Sequence, residues 1–120
     1  MSVKTKFRET ANAVILKVSG RITLGASGPS LQHGIRDLLD GGHKNIILDL
    51  AGVTFLDSSG LGQLVGSYAT AVSHGSEIKL LNLNRKVYDL MQITKLYTVF
   101  AIYTDEAAAV KSFDVAPVAG

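Results

Sequence analysis

The residues with the most chemical promise lie together in "TFLDSSGLGQLVGSY" (54–68), where an aspartate, two serines and a glycine join a hydrophobic run to a helix-like one. Two chemistries are open to that junction. Asp57 or Ser58 can cap the helix by accepting backbone N–H groups that have no partner in the first turn. Alternatively, a first-turn serine can carry a phosphoryl group, which adds about −1.5 to −2 charges. The group would meet unpaired N–H donors and the positive end of the helix dipole, so the fold should tolerate it. Beside Asp57 it would also place a large anion on an exposed surface and repel a partner, switching association without refolding. On local physics alone the plain cap is the weightier reading, because caps vastly outnumber switches.

Catalytic patterns fall short. Of the three histidines, His33, His43 and His74, none forms an H-x-x-x-H pair or has a carboxylate at metal-ligand spacing. "SSGLG" lacks the G-x-S-x-G of a nucleophile elbow. His74 follows Ser58 near the far end of the same predicted helix, about four turns away, too far to act as its base. "GRITLGASG" (20–28) has three glycines but neither a G-K-[ST] phosphate loop nor the G-x-G-x-x-G of a dinucleotide fold. No cofactor or metal is expected, and a binding module is expected in place of an enzyme.

Composition narrows the class further. The chain has 120 residues, 47% hydrophobic and 18% charged, as one compact globular domain would. With no cysteine, disulfides and thiolate metal sites are excluded. Its 12 basic and 10 acidic residues are interspersed, and neither "KTKFR" nor Arg85–Lys86 is long enough for a nucleic-acid stripe. "MSVKTKFRET" has no apolar h-region, so a cytoplasmic protein is expected. The charge-free span Ser58 to Ser76 confines its apolar residues to one helical face and reads as amphipathic, not as a membrane span.

The elements that must position the junction follow from period and punctuation. "VKTKFRE" and "AVILKVSG" predict a hairpin joined by "TANA". "GPSLQHGIRDLLDGG" predicts a helix with Pro29 at its first position, Leu31, Ile35, Leu38 and Leu39 on its inner face, and Gly41–Gly42 at its end. "KNIILDL" (44–50) predicts a strand buried on both faces. From Ser58, the residues Leu61, Leu64, Val65, Tyr68, Ala69 and Val72 trace an apolar helical face that ends at Gly75. Gly62 and Gly66 within it leave a side-chain-free strip for close approach by a backbone. "EIKLLNL" (77–83) and "YTVFAIY" (97–103) predict strands. Asn84 and Thr104 are placed to cap the helices that follow. The order β–β–α–β–α–β–α–β–α predicts an α/β fold, a small mixed sheet of about 4–5 strands with about four helices packed on it. One domain over 3–113 and a flexible tail over 114–120 are expected.

"VTFLDSSGLGQLVGSY", preceded by "IILDLAG" and followed by "GSEIKLLNLNRKVYDLMQITKL", resembles the STAS domain of bacterial anti-sigma factor antagonists across residues 3 to 113. The resemblance implies that Ser58 is the phosphorylation site, with Ser59 second. It implies two partners, an anti-sigma factor with serine kinase activity and a protein phosphatase, with no direct nucleic acid and no membrane. The unphosphorylated form would bind the kinase and free a sigma factor. Partner contacts would come from Arg21, Thr23, Leu24, Asp57, Ser59, Gly60, Leu61 and Gln63. Family members typically carry acidic residues after the second strand, in a G-E-L-D-like pattern, where this chain has "GRITLGAS". An arginine there could pair with a phosphate on Ser58. The rival reading is a structural STAS subunit of a signalling scaffold, or a soluble accessory of a lipid or anion transporter. The oligomeric state, monomer or weak dimer, is left open.

Overall fold

A computed structural model describes residues 4–10, 12–22 and 30–113. Five strands lie side by side in chain order: β1 (Lys4–Glu9), β2 (Val14–Ile22), β3 (Asn45–Leu56), β4 (Glu77–Leu81) and β5 (Ile102–Tyr103). β1 runs antiparallel to β2, and every other neighbouring pair is parallel. Helices α1 (Ser30–Asp40), α2 (Ser58–Ser73), α3 (Arg85–Ile93) and α4 (Glu106–Lys111) alternate with the strands, as the sequence order predicts. Among the described residues, no helix is long and apolar enough to cross a membrane. The first position predicted for α1, Pro29, and the tail 114–120 lie outside the described residues.

Side-chain alternation divides the core. Ile46, Leu48 and Leu50 of β3 point to one face, where α1, α2 and α3 cover them with Leu31, Ile35, Leu64, Val87 and Met91. Each fully buried aliphatic side chain there contributes about 1.5–3 kcal/mol. Ile47 points the other way, into a small pool with Ala13, Ile15, Leu81 and Ala109 that α4 covers. α4 is pinned to the first strand by Arg8, whose guanidinium donates to Glu106 at 2.6 Å. The hydrogen bond to that carboxylate, then its charge, raises the Arg8 pKa above its ordinary value.

Helix stops and caps follow local chemistry. Gly42 takes φ +91° after α1, and the His43 N–H closes on the Leu38 carbonyl at 3.1 Å. Gly75, at φ +71°, turns the chain out of α2 as predicted. Asn84 caps α3 by accepting from the Val87 N–H at 3.0 Å. The last helix is capped by Asp105 and not by Thr104, its Oδ2 accepting from the Ala108 N–H at 2.9 Å.

Three further expectations are corrected. β3 runs on from Leu50 to Leu56, because its pairing with β2 slips twice: Lys17 faces Asp49 while Ser19 faces Gly52, and Gly20 faces Val53 while Arg21 faces Phe55. Each slip adds one residue to β3, so Val53 and Leu56 are buried with two exposed residues between them and the period of two is lost. The strand expected over 97–103 shrinks to Ile102–Tyr103. Lys95 at φ +61° leads instead into a 3-10 turn at Leu96–Thr98, which buries Phe100 and leaves Tyr97 and Val99 exposed.

The third correction concerns α2. Its buried residues are Gly60, Gln63, Leu64, Ser67 and Ala71, while Val65 and Val72, placed by period on the inner face, are 40% and 53% exposed. A Cβ on Gly60 would collide with the Ile22 carbonyl and the Leu56 side chain, so the helix meets the sheet through its smallest residues. The glycine strip is also divided: Gly62 faces open space, and Gly66 faces the Gln32 side chain of α1.

Candidate functional site

The junction is built by β3 and held from the side by β2. Leu56, buried at the end of β3, pairs with Ile22, the last residue of β2. The backbone then leaves the sheet at Asp57, which is extended (φ −101°, ψ −173°) and begins α2. Between the two candidate caps the structure selects Asp57: its Oδ1 accepts from the Gly60 N–H at 2.8 Å, and its carbonyl accepts from the Leu61 N–H at 2.9 Å. Ser58 is therefore the first residue of the helix and Ser59 the second.

Burial separates the two serines. Ser58 is exposed and Ser59 half-buried, while Gly60 is pressed against Ile22 with no room for a side chain. Leu61 is half-buried against the main core. Ser58 Oγ thus lies within reach of a macromolecule, next to a carboxylate already committed to the cap. Helix-dipole and N–H effects fall off within the first turn, which is where this serine sits.

Across the ladder, Arg21 is exposed and pairs in register with Phe55, its guanidinium 4.4 Å above the centre of the ring. An arginine over an aromatic face gains a cation–π attraction that fixes its guanidinium beside the ring. Phe55, which is 41% exposed, was not singled out from sequence. Its link to Arg21 depends on the second slip between β2 and β3, and no local pattern encodes that. Arg21 and Ile22 bring the end of β2 to the first turn of α2, while Thr23 and Leu24 lie outside the described residues.

Gln63 does not belong to the outer surface. Expected among the partner contacts, it is 7% exposed, because α2 is rotated to set Gly60 on the sheet. His74 caps the other end of α2, with Nδ1 2.9 Å from the Thr70 carbonyl oxygen and Nε2 3.9 Å from Asp40. His43 lies 3.5 Å from Glu9 at the opposite end of β3 from Ser58. Neither ring comes near the serines.

The model of the STAS domain family matches residues 4–109. Over 72 residues the chain is 32% identical to an anti-sigma F factor antagonist of Paenibacillus polymyxa, a match covering 60% of this chain and 62% of that protein. Over 102 residues it is 28% identical to an anti-sigma-B factor antagonist of Bacillus subtilis, covering 85% of this chain and 92% of the relative. The solved structure of the Bacillus cell fate determinant SpoIIAA in its phosphorylated form shares the fold. Its TM-score is 0.69 at 20% identity, over 92% of this chain and 99% of that one.

Proposed function

This chain belongs to the STAS domain family, and from that premise we propose that it acts as an anti-sigma factor antagonist, a protein-binding module switched by phosphorylation of Ser58. The observation that carries the reading is the position of Ser58: exposed, first in α2, and directly behind the Asp57 cap. The names of its curated relatives, anti-sigma F and anti-sigma-B factor antagonists, point the same way.

In the unphosphorylated state, Arg21, Asp57, Ser58, Ser59 and Leu61 present a surface of mixed charge to the anti-sigma factor, with Thr23 and Leu24, outside the described residues, as further contacts of this proposal. Gly60 contributes by fitting the turn against β2, not by contact. Binding occupies the anti-sigma factor and frees its sigma factor, which places the exchange in the cytoplasm. The partner, acting as a serine kinase, transfers the γ-phosphoryl group of ATP to Ser58 Oγ, releasing ADP and a proton. The new anion stands beside the Asp57 carboxylate and repels the partner, while first-turn N–H groups and the helix dipole accommodate it. A protein phosphatase hydrolyses the ester and restores the binding form. Arg21, where family members typically carry acid, pairs with the phosphate and shifts the balance toward the phosphorylated state.

The direct test is incubation with ATP and its cognate anti-sigma kinase, followed by mass spectrometry. Phosphate on Ser58, and none on the Ser58→Ala chain, is the expected result. An unmodified Ser58 together with no binding to that protein overturns the reading.

A further inference from the structure

The side of the sheet turned away from α1, α2 and α3 carries a row of charges. Lys6 pairs with Lys17 across the antiparallel ladder, and Lys17 pairs with Asp49 across the parallel one. Such a row is a poor structural choice. Like charges directly opposite each other destabilise a sheet, and neither lysine makes an ion pair among the described residues. Asp49 is 5% exposed, yet the one hydrogen bond to its carboxylate among the described residues comes from the Ala51 N–H at 3.1 Å. Arg8 adds a weak charge attraction to that carboxylate, but a buried charge with a single hydrogen bond is still costly.

The same face settles its other buried charge fully. Lys79, 6% exposed, donates to Ser112 Oγ at 2.6 Å and lies 4.1 Å from the ring centre of Phe113. Among the described residues, the Lys6–Lys17–Asp49 row has no such cover. Above it opens a cavity of about 600 Å³ lined by Lys6, Lys17, Ser19, Asp49, Ala51 and Asn82 among others. That volume falls in the range of small-molecule sites, roughly 300–1,000 Å³. Asn82, on its rim, holds φ +58°, a left-handed conformation that costs energy for a residue with a side chain.

We propose that this cavity binds a small organic anion with an apolar body, its anionic group set between Lys6 and Lys17 and a hydroxyl or amine donor turned toward Asp49. Charge complementarity selects the occupant: two lysines paired in register for the anion, a carboxylate for the donor, and Ala51 with the aliphatic stems of the lysines for the apolar part. The site uses none of the Ser58 chemistry, so the two proposals stand or fall separately.

Anilinonaphthalene sulfonate, an apolar anion with an amine donor, serves as the probe, followed by the amide NMR spectrum of the labelled chain. Saturable shifts are expected at Lys6, Lys17, Ser19, Ala51 and Asn82. The Lys6→Glu/Lys17→Glu chain should bind roughly ten-fold or more weakly, as should the wild-type chain at high salt. Lys6→Gln/Lys17→Gln, which removes charge without reversing it, should fall between, and phenylnaphthylamine, the same body without sulfonate, should bind weakly to all three. Each variant's thermal midpoint reports that it is folded, and its phosphorylation at Ser58 should be unchanged. Shifts centred on Val65 and Val72, equal affinity in the charge-reversed chain, or self-association of the chain through this face would overturn the proposal.

Discussion

Leu80 and Leu81 are neighbours in β4, both fully buried, and they point to opposite faces of the sheet. Leu80 lies under the layer of α1, α2 and α3. Leu81 lies in the small pool under α4, whose six residues leave the neighbouring charged row uncovered. The sealed face therefore supplies most of the apolar burial that holds the fold, and among the described residues α4 covers only part of the other face. Ser58 sits at the seam: its helix belongs to the sealed layer, and its first turn emerges where β2 and β3 end.

The largest expected effects probe that division directly. Leu80→Ala should cost about 4 kcal/mol and Leu81→Ala about 2 kcal/mol, the upper and lower parts of the range for burying less leucine, because a thin layer relaxes around a void more easily. Urea unfolding of both variants checks this, and equal losses would break the contrast between the faces. Next comes the seam. Gly60→Ala should cost about 1–3 kcal/mol, because the new methyl meets the Ile22 carbonyl, and backbone cannot yield as a side chain can. Gly62→Ala, two residues on and facing open space, should instead stabilise by up to about 1 kcal/mol through helix propensity. The opposite signs of two identical changes would confirm that α2 is turned with Gly60 inward.

That rotation also marks where reading from sequence stopped working. The hairpin, α1 with its glycine stop, the extent of α2 and the Asn84 cap were legible, because period and capping are local signals. The inner face of α2 was not. Apolar spacing favoured Val65 and Val72, but contact between Gly60 and a strand distant in sequence overrode it, and Gln63 was misplaced with them. The extension of β3 and the Arg21–Phe55 pair both depend on slips of register against β2, which exist only between strands. At the site itself, "DSSG" announced a cap without deciding between Asp57 and Ser58. The decision came from the extended backbone at Asp57 and its bond to Gly60.

Smaller effects are expected at the cap. Asp57→Ala should lose about 1 kcal/mol of stability, the usual worth of an N-cap. Ser58→Asp should change stability by less than about 0.5 kcal/mol, since the residue is exposed and the dipole favours an acid there. Its affinity for the anti-sigma factor should nevertheless fall at least about ten-fold, or 1.4 kcal/mol. Calorimetric titration beside thermal melts separates the two. A large loss of stability in Ser58→Asp would mean that the first turn is a crowded structural cap rather than a surface for exchange.

The smallest effects, on the open face, depend on position along the charged row. Lys6 faces Lys17 at one strand spacing, about 4.8 Å, and Asp49 at two. Coulomb energy falls with distance, so repulsion from Lys17 outweighs attraction to Asp49 by about two to one for Lys6. Lys17 stands one spacing from both, and its two terms nearly cancel. Lys6→Gln should therefore stabilise the chain by a few tenths of a kcal/mol at low salt, while Lys17→Gln should change it little. In 1 M salt the screening length drops to about 3 Å and the difference between the variants should vanish. Paired urea titrations at the two salt concentrations give both numbers. If Lys6→Gln is destabilising at either concentration, the lysine pair is no burden on the fold, and the charge argument for an anion there fails with it.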